Sequence, residues 1–187
     1  MISVAVIGGG ASGMAFAVAL KQKRPDIEVA VFEKNPKVLK KMLVTGNGRC
    51  NILNFDAVAE NYFEACEFVR PAVEKYAPKK TEAIFRDMGL LLMSEQEGRA
   101  YPISQTAASV VCVLSSAAER AGVKVFTDTP VKSIKKSQGG FVINNDKSFD
   151  FAVIACGGAA APKQGTDGSS FRSEERRVGK ECRKRGG

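Results

Sequence analysis

The chain has 187 residues, a length typical of one domain, or of one domain and part of another. Hydrophobic residues make up 44% of the sequence, which is enough for a core and excludes a chain that is disordered throughout. The net charge is +8, but seven basic and three acidic residues lie in 172–187. The positive charge of the rest of the chain is dispersed among acidic residues, so nucleic acid is not expected as a partner.

The first 33 residues predict a strand–helix–strand unit. Ser3–Ile7 is a short apolar run that ends at glycine, which is typical of a buried parallel strand. Ala11–Lys23 has small and apolar residues at helical spacing, and this helix is expected to end before Pro25. Ile27–Glu33 predicts a second strand, so these residues complete a βαβ unit.

The middle of the chain predicts a loop, three helices and a hairpin. A polar, glycine-containing loop is expected at Asn35–Asn54. The elements predicted after it are, in order, Tyr62–Tyr76 (helix), Thr81–Met88 (helix), Leu90–Met93 and Gly98–Pro102 (hairpin strands), Gln105–Arg120 (helix) and Val123–Phe126 (third parallel strand). Gly122 is expected to end the last helix.

The later part of the chain predicts an antiparallel meander inserted before a final parallel strand. Val131–Lys136, Phe141–Asn144 and Ser148–Phe151 alternate apolar and polar residues, and turn residues separate them. Phe151–Ala155 is a further buried run that ends at a pair of glycines. The predicted fold class is α/β, with a parallel sheet in a Rossmann-like arrangement and an inserted β-meander.

The string GGGASG, Gly8–Gly13, matches the G-x-G-x-x-G pattern between the first strand and the first helix. Gly8 permits the tight turn, Gly10 lets the main chain approach a pyrophosphate, and Gly13 lets the helix pack closely on the strand. The helix N-terminus offers N–H groups and a partial positive charge to phosphate. A purely structural turn is the alternative, but the strand and the helix on either side favour dinucleotide binding.

Glu33 ends the second predicted strand and lies 20 residues after Gly13. A carboxylate at this place accepts hydrogen bonds from the ribose of a bound dinucleotide. It would also repel a 2′-phosphate, so NADP is disfavoured at this site.

Two further glycine-containing strings are candidates for cofactor contact. In TGNGRCN, Thr45–Asn51, Arg49 is a candidate for phosphate or a substrate carboxylate and Asn51 for the edge of a flavin. The residues alone favour an ordinary polar loop there. In VIACGGAAAPKQGTDGSSF, Val153–Phe171, a strand runs into glycines, which predicts a second approach to the same dinucleotide. Its candidates for polar contact are Thr166, Asp167 and Ser169.

Residue types that are missing or unpaired also restrict the chemistry. The sequence has no histidine, which excludes Ser-His and Cys-His nucleophiles and makes a metal site unexpected. Its five cysteines form no CxxC pair, so free thiols in a reducing compartment are expected. No stretch approaches the roughly 20 apolar residues of a membrane span, and the start lacks the basic region of a signal peptide. A cytoplasmic protein without a membrane partner is therefore expected.

Four strings together resemble a family of FAD-dependent oxidoreductases, described as aminoacetone-oxidase-like or NAD(P)/FAD-dependent, some of whose members are reductases in bile-acid metabolism. The strings are VAVIGGGASGM, KKMLVTGNGRCNI, GRAYPISQTAASVV and VIACGGAAAPKQGTDGSSF, and the resemblance covers Met1–Phe171. It implies a fold with two dinucleotide-binding domains, in which 1–171 is an incomplete FAD-binding Rossmann-like domain.

The resemblance further implies that FAD lies across the βαβ unit, that a small molecule is the substrate and that NAD(P)H is the partner. The glycine loop would hold the pyrophosphate, Glu33 the adenosine ribose and the main chain at Val131 the adenine edge. Arg49, Cys50 and Asn51 would lie towards the flavin. The cofactor-binding residues implied are Gly8, Gly10, Ala11, Ser12, Gly13, Glu33, Lys34, Lys41, Thr45, Gly46, Asn47, Gly48, Arg49, Cys50, Asn51, Val131, Ala155, Gly157 and Gly158.

Residues 172–187 differ from the rest of the chain. Arg172–Arg183 reads RSEERRVGKECR, which resembles the in-frame translation of a sequencing adapter, so the tail is expected to be non-native and disordered. A natural basic helix or arm is the alternative. Relatives in the family continue well beyond this length with a substrate domain. The chain is therefore expected to be truncated, and no catalytic acid or base and no oligomeric state is assigned.

Two alternative functions stay open. An NAD-dependent Rossmann dehydrogenase would share the glycine loop and Glu33, although the inserted meander argues against it. The other alternative is an inactive, truncated dinucleotide-binding fragment. The 187-residue chain by itself is expected to bind FAD weakly or not at all, because much of the surface that would cover the cofactor is missing.

Overall fold

A computed structural model describes residues 1–159 and Gly168, without the side chains of 63–66. The chain divides into two compact units. We call the first the glycine-loop unit; it comprises Met1–Lys41 and Ala121–Gly187. The second, which we call the intervening unit, comprises Met42–Arg120. The prediction of a single domain over 1–171 stays a prediction, since its end lies outside the described residues.

The glycine-loop unit begins with β1 (Ser3–Ile7), α1 (Ala11–Lys23) and β2 (Glu28–Phe32). β1 and β2 pair in parallel, with Ile7 opposite Phe32, which confirms the predicted βαβ unit. All but the first residue of each strand are buried, because each strand is covered on both faces and its apolar run leaves no polar side. β2 ends one residue before Glu33, whose carboxylate is thereby placed just beyond the sheet.

The intervening unit is built from short strands and helices. Its predicted hairpin and helices are confirmed, but the expected loop at Asn35–Asn54 is partly wrong, because it contains helical turns and a two-residue strand. Neither has enough residues in a regular pattern to be visible in the sequence. In chain order the elements are short helical turns within Lys40–Gly48, interrupted by non-helical main chain at Thr45, Gly46 and Asn47, then β3 (Leu53–Asn54), a 3-10 helix (Ala59–Ala65), α2 (Cys66–Lys75), α3 (Pro78–Asp87), β4 (Leu92–Ser94), a turn (Gln96–Gly98), β5 (Arg99–Pro102) and α4 (Ala107–Arg120). The three strands form an antiparallel sheet in the order β3-β5-β4.

The chain then returns to the glycine-loop unit and completes two sheets. The strands are β6 (Lys124–Phe126), β7 (Ile134–Ser137), β8 (Gly140–Ile143), β9 (Lys147–Phe149) and β10 (Phe151–Ile154). β7, β8 and β9 form the predicted antiparallel meander. β6 pairs in parallel with β2, and β10 in parallel with β1. The main sheet therefore has the order β10-β1-β2-β6, entirely parallel, as expected for a Rossmann-like α/β fold.

The meander packs against the carboxyl end of the parallel sheet. Ile143 and Phe149 of the meander join Ala5, Ile7, Ala30 and Phe32 of β1 and β2 in one buried cluster. The Phe32 ring is stacked on Phe126 at 5.4 Å and meets Phe149 edge-on at 5.7 Å. Burial of one such side chain contributes about 2 kcal/mol, so the meander fixes the end of β2 from which Glu33 follows. Within residues 1–159, no helix has the length and apolar character needed to cross a membrane.

Candidate functional site

Two glycines of the Gly8–Gly13 loop are required by the fold. Gly8 has φ of 111°, and a Cβ atom there would lie 2.5 Å from the carbonyl oxygen of Ala155. A Cβ atom on Gly13 would overlap the carbonyl oxygen of Gly8. Both obstacles are main-chain atoms, which cannot move aside as a flexible side chain can. The tight turn and the close approach of α1 to β1 thus explain two of the three motif glycines.

The third motif glycine, Gly10, has no such explanation. Its φ is −79°, which any residue can adopt, and no described atom lies within 4 Å of the place that its Cβ would occupy. α1 begins at this residue, with a first helical bond from Met14 N to Gly10 O of 3.0 Å. The N–H groups of the first turn have no partner within the helix; Ala11 and Ser12 are exposed there. The N-terminus of α1 can therefore accept an anion.

Glu33 lies at this loop, with its carboxylate held on both oxygens. Its Oε2 accepts a hydrogen bond of 2.8 Å from Gly9 N, and its Oε1 accepts two from Asn35, of 2.8 Å from N and 2.6 Å from Nδ2. The main chain of Glu33 bonds to Phe126 O and Thr129 N, each at 2.8 Å. The residue is only 8% exposed, and these bonds compensate the buried charge.

The segment after Glu33 folds back over the glycine loop. Leu39 is buried and donates its N–H to Gly9 O at 2.7 Å. Lys34 is exposed and Lys41 half-buried on this segment. Val131 follows β6 in the chain and packs against the buried core cluster. Two residues earlier, Thr129 donates its N–H to the carbonyl oxygen of Glu33. These candidates thus lie in the glycine-loop unit, and their roles as cofactor contacts stay predictions.

The end of β10 lies beside the glycine loop, and the predicted approach of its glycine-rich string to a dinucleotide stays a prediction. Ala155 N donates to Ile7 O at 2.8 Å, and Cys156 Sγ lies 3.3 Å from the same oxygen. Gly157 follows with φ of 73°, in the left-handed region, and Gly158 comes next. Thr166, Asp167 and Ser169 lie outside the described residues.

The TGNGRCN string, Thr45–Asn51, lies in the intervening unit and forms a tightly wound loop. Gly46 and Asn47 each have φ of 54°, and Gly48 and Cys50 have φ of 81° and 62°. The loop closes on itself through bonds of 3.0 Å from Cys50 N to Thr45 O and from Arg49 N to Gly46 O. Much of the string is therefore explained by a left-handed main chain, for which glycine and asparagine are suited.

Arg49 already has partners within its own unit. Its Nη1 lies 2.8 Å from Glu95 Oε1 and 2.9 Å from Gln105 Oε1. The guanidinium stands 4.0 Å from the centre of the Tyr101 ring. The side chain is still 39% exposed, so one edge stays accessible. The predicted contact of Arg49 with phosphate or a carboxylate stays a prediction, and it would have to share the arginine with Glu95.

Cys50 and Asn51 differ in exposure. Cys50 is 2% exposed, and burial raises the pKa of its thiol despite a hydrogen bond from the Thr45 side chain that lowers it. The thiol is thus protonated near neutral pH and is a poor nucleophile. Asn51 is exposed. In the described part of the chain, no group of three or more His, Cys, Asp or Glu is arranged to hold a metal ion.

Sequence reasoning did not single out Gly9 and Asn35, the two residues that hold the Glu33 carboxylate. The only local signal for Asn35 was its residue type, because asparagine side chains commonly make hydrogen bonds to groups nearby in the sequence. Gly9 donates its N–H over 24 sequence positions, so its role depends on the register of β1 with β2. No local sequence pattern predicts the register of these two strands.

Two curated relatives align with most of the chain. A 3-dehydro-bile acid delta(4,6)-reductase from Clostridium scindens is 38% identical over 175 residues, and a ribosomal RNA dihydrouridine synthase from Haemophilus influenzae is 24% identical over 174. The alignments cover 91% and 86% of this chain but only 42% and 41% of those proteins. The chain therefore spans about two-fifths of the length of the relatives that it matches.

Solved structures share the fold at low sequence identity. THI4 from Thermovibrio ammonificans has a TM-score of 0.57 at 16% identity, covering 95% of this chain and 63% of that one. A glycine oxidase from Bacillus cereus has a TM-score of 0.52 at 15% identity, covering 87% and 57%. The family model described as "HI0933-like protein Rossmann domain" matches residues 2–180, a range that extends into the adapter-like segment. The chain thus belongs to the HI0933-like family, through its Rossmann domain.

Proposed function

We propose that the glycine-loop unit binds FAD and that the longer protein to which it belongs is a flavoprotein oxidoreductase. The observation that carries this proposal is the space at Gly10. With an ordinary φ and no described atom within 4 Å of its missing Cβ, Gly10 is not required to be glycine by its backbone conformation or by packing. It lies at the start of α1, where a pyrophosphate finds N–H donors and the positive end of the helix dipole.

The neighbouring residues fit the rest of a dinucleotide. The Glu33 carboxylate, held beside Gly9, would accept a hydrogen bond from the adenosine ribose. Its negative charge disfavours a ligand with a 2′-phosphate at this position. The main chain at Ala155, Gly157 and Gly158 would lie along the cofactor on the other side of the loop, because Ala155 touches Gly8.

When bound, FAD supplies hydride transfer through its ring, and the protein supplies position and electrostatics. We propose NAD(P)H as the partner, a small molecule as the substrate and the cytoplasm as the location. The bile acid reductase relative supports a small substrate, since its name states one. The isolated 187-residue chain is proposed to be inactive and to hold FAD weakly, because it spans only 42% of that relative.

The test separates binding from folding by a pair of glycine substitutions in one unit. Gly10→Val fills the open space at the helix start, and Gly139→Val adds the same side chain in the turn between β7 and β8, where no described atom lies within 4 Å either. ADP is the probe, because it carries the pyrophosphate and the ribose that this unit would bind. Calorimetric titration of the full-length protein, freed of bound flavin, measures its affinity.

We expect Gly10→Val to weaken ADP at least about tenfold, the effect of losing one or two hydrogen bonds to a charged group. Gly139→Val should bind as the wild type does, and circular dichroism should show both variants folded. Full-length wild-type protein that does not bind ADP, or a Gly10→Val variant that binds it undiminished, would refute the proposal.

An NAD-dependent dehydrogenase is distinguished by the choice of dinucleotide. The meander between β6 and β10 favours a flavoprotein, because a simple Rossmann domain connects such parallel strands by a helix. The full-length protein should be yellow after purification, with a flavin spectrum. A colourless protein that binds NADH cleanly would support the dehydrogenase instead.

A second candidate substrate is RNA, because one curated relative is named for an action on ribosomal RNA. The higher identity to the bile acid reductase, 38% against 24%, favours the small molecule. Filter binding of ribosomal RNA to the full-length protein at several salt concentrations distinguishes the two. Binding that falls steeply with salt but persists at 0.15 M, near physiological ionic strength, would favour RNA.

A further inference from the structure

Asn35 controls how many hydrogen bonds the Glu33 carboxylate can still accept. A carboxylate has about four acceptor positions, two on each oxygen. Asn35 fills both positions of Oε1, through N at 2.8 Å and Nδ2 at 2.6 Å. Gly9 N fills one position of Oε2 at 2.8 Å. Among the described residues, these three bonds leave a single position, on Oε2, for a ligand.

We infer that Asn35 is a specificity-determining residue, which restricts Glu33 to one hydroxyl group of the ribose. The inference rests on the proposed function, because it requires a ribose at this site. An unrestricted carboxylate can accept from both neighbouring hydroxyls, one on each oxygen. With Oε1 filled by Asn35, the second hydroxyl finds no acceptor on Glu33.

The position of the carboxylate does not depend on the Asn35 side chain alone. Gly9 N and Asn35 N are main-chain donors, which remain when the side chain is shortened. Asn35 O also accepts from Asp128 N at 3.1 Å, a further bond that the side chain does not make. Asn35→Ala therefore leaves Glu33 held on both oxygens and frees one acceptor position on Oε1.

The experiment compares ADP with 2′-deoxy-ADP and 3′-deoxy-ADP as ligands of the full-length protein, freed of bound flavin. In the wild type we expect one of the two deoxy compounds to bind about tenfold more weakly than ADP, and the other to bind almost as ADP does. In Asn35→Ala we expect both deoxy compounds to bind several-fold more weakly than ADP, because both hydroxyls now have an acceptor. A loss of structure alone would weaken all three ligands alike.

Lys21→Met is the matched control. Lys21 Nζ donates to Pro25 O at 2.8 Å and Ile27 O at 3.0 Å, at the opposite end of α1 and β2. Its loss removes side-chain bonds from the same unit without touching Glu33, so the pattern of the three ligands should stay that of the wild type.

The outcomes separate the inference from the proposed function. Full-length wild-type protein that does not bind ADP refutes the proposed function, and the inference with it. ADP that binds while both deoxy compounds are already equally weak in the wild type refutes the inference alone. So does an Asn35→Ala variant that keeps the wild-type pattern.

Discussion

The two glycine-containing loops of this chain use glycine for different physical reasons. In Gly8–Gly13, the main chain of a neighbouring segment occupies the space that a side chain would need at Gly8 and Gly13. In Thr45–Asn51, the main chain itself is left-handed at Gly46, Asn47, Gly48 and Cys50. In the first loop, the choice of glycine is restricted mainly by contacts with neighbouring main chain. In the second loop, it is restricted mainly by the left-handed backbone conformation.

This difference shows how to recognise a glycine that serves a ligand. Gly48 has open space around it, but its φ of 81° explains why glycine is present. Gly10 has open space and an ordinary φ, so neither packing nor winding explains it. A motif match alone does not separate these cases, because both strings contain glycines at short spacing.

The largest effect is expected for Gly13→Ala. Its new methyl group would overlap the Gly8 carbonyl oxygen, so α1 would have to move away from β1. We expect a loss of about 3 kcal/mol or more in the free energy of unfolding, the upper range for overpacking, measured by urea denaturation. Gly10→Ala is the control and should change stability by less than about 1 kcal/mol. A Gly13→Ala variant as stable as Gly10→Ala would show that the loop has no close contact here.

An intermediate effect is expected for Gly46→Ala in the second loop. A Cβ atom there would lie 2.7 Å from Asn51 N, and φ is 54°, so the substitution adds a main-chain clash to the cost of left-handed backbone. We expect about 2 kcal/mol from both terms together.

Gly48→Ala meets no described atom within 4 Å and should lose only the backbone term, about 1 kcal/mol. Thermal denaturation of the two variants side by side measures the difference. Equal losses of stability in the two variants would mean that the left-handed backbone alone, and not the contact with Asn51, requires glycine at Gly46.

The sequence predicted those elements whose cause is local. The bounds of β1 and α1 agree with the prediction because an apolar run and helical spacing begin and end at clear signals. β3 was missed because two residues are too few to show the alternation of apolar and polar residues that marks a strand. It is a strand only through its pairing with β5. In the site, the spacing of Gly8, Gly13 and Glu33 was sufficient to predict that they meet.

The network around Glu33 was not predictable in the same way. Gly9 reaches its carboxylate only because Ile7 pairs with Phe32 in the parallel sheet, which brings Glu33 beside the loop. Likewise, Arg49 was predicted from its charge to meet a ligand, and the bonds to Glu95 and Gln105 arise from residues 46 and 56 positions away. Charge and residue type indicate chemistry, but the partner is decided by tertiary structure.

The smallest effect is expected for Glu95→Gln, which removes the charge that faces Arg49. Both side chains are partly exposed, 39% for Arg49 and 33% for Glu95, so water screens the pair. The Gln amide oxygen can still accept from Arg49, and the stacking on Tyr101 is unchanged. We expect a loss of about 0.5 kcal/mol in the free energy of unfolding, which should diminish in 1 M salt.

Asp26→Asn is the matched control for this pair, because Arg24 and Asp26 bond at 2.6 Å but are 52% and 60% exposed. It should leave stability unchanged, since a mostly exposed ion pair gains little from its contact. A loss of several kcal/mol for Glu95→Gln would show that Arg49 depends on Glu95 for its position. The second loop would then be held by a distant partner, as the first is, and the contrast between the two loops would be lost.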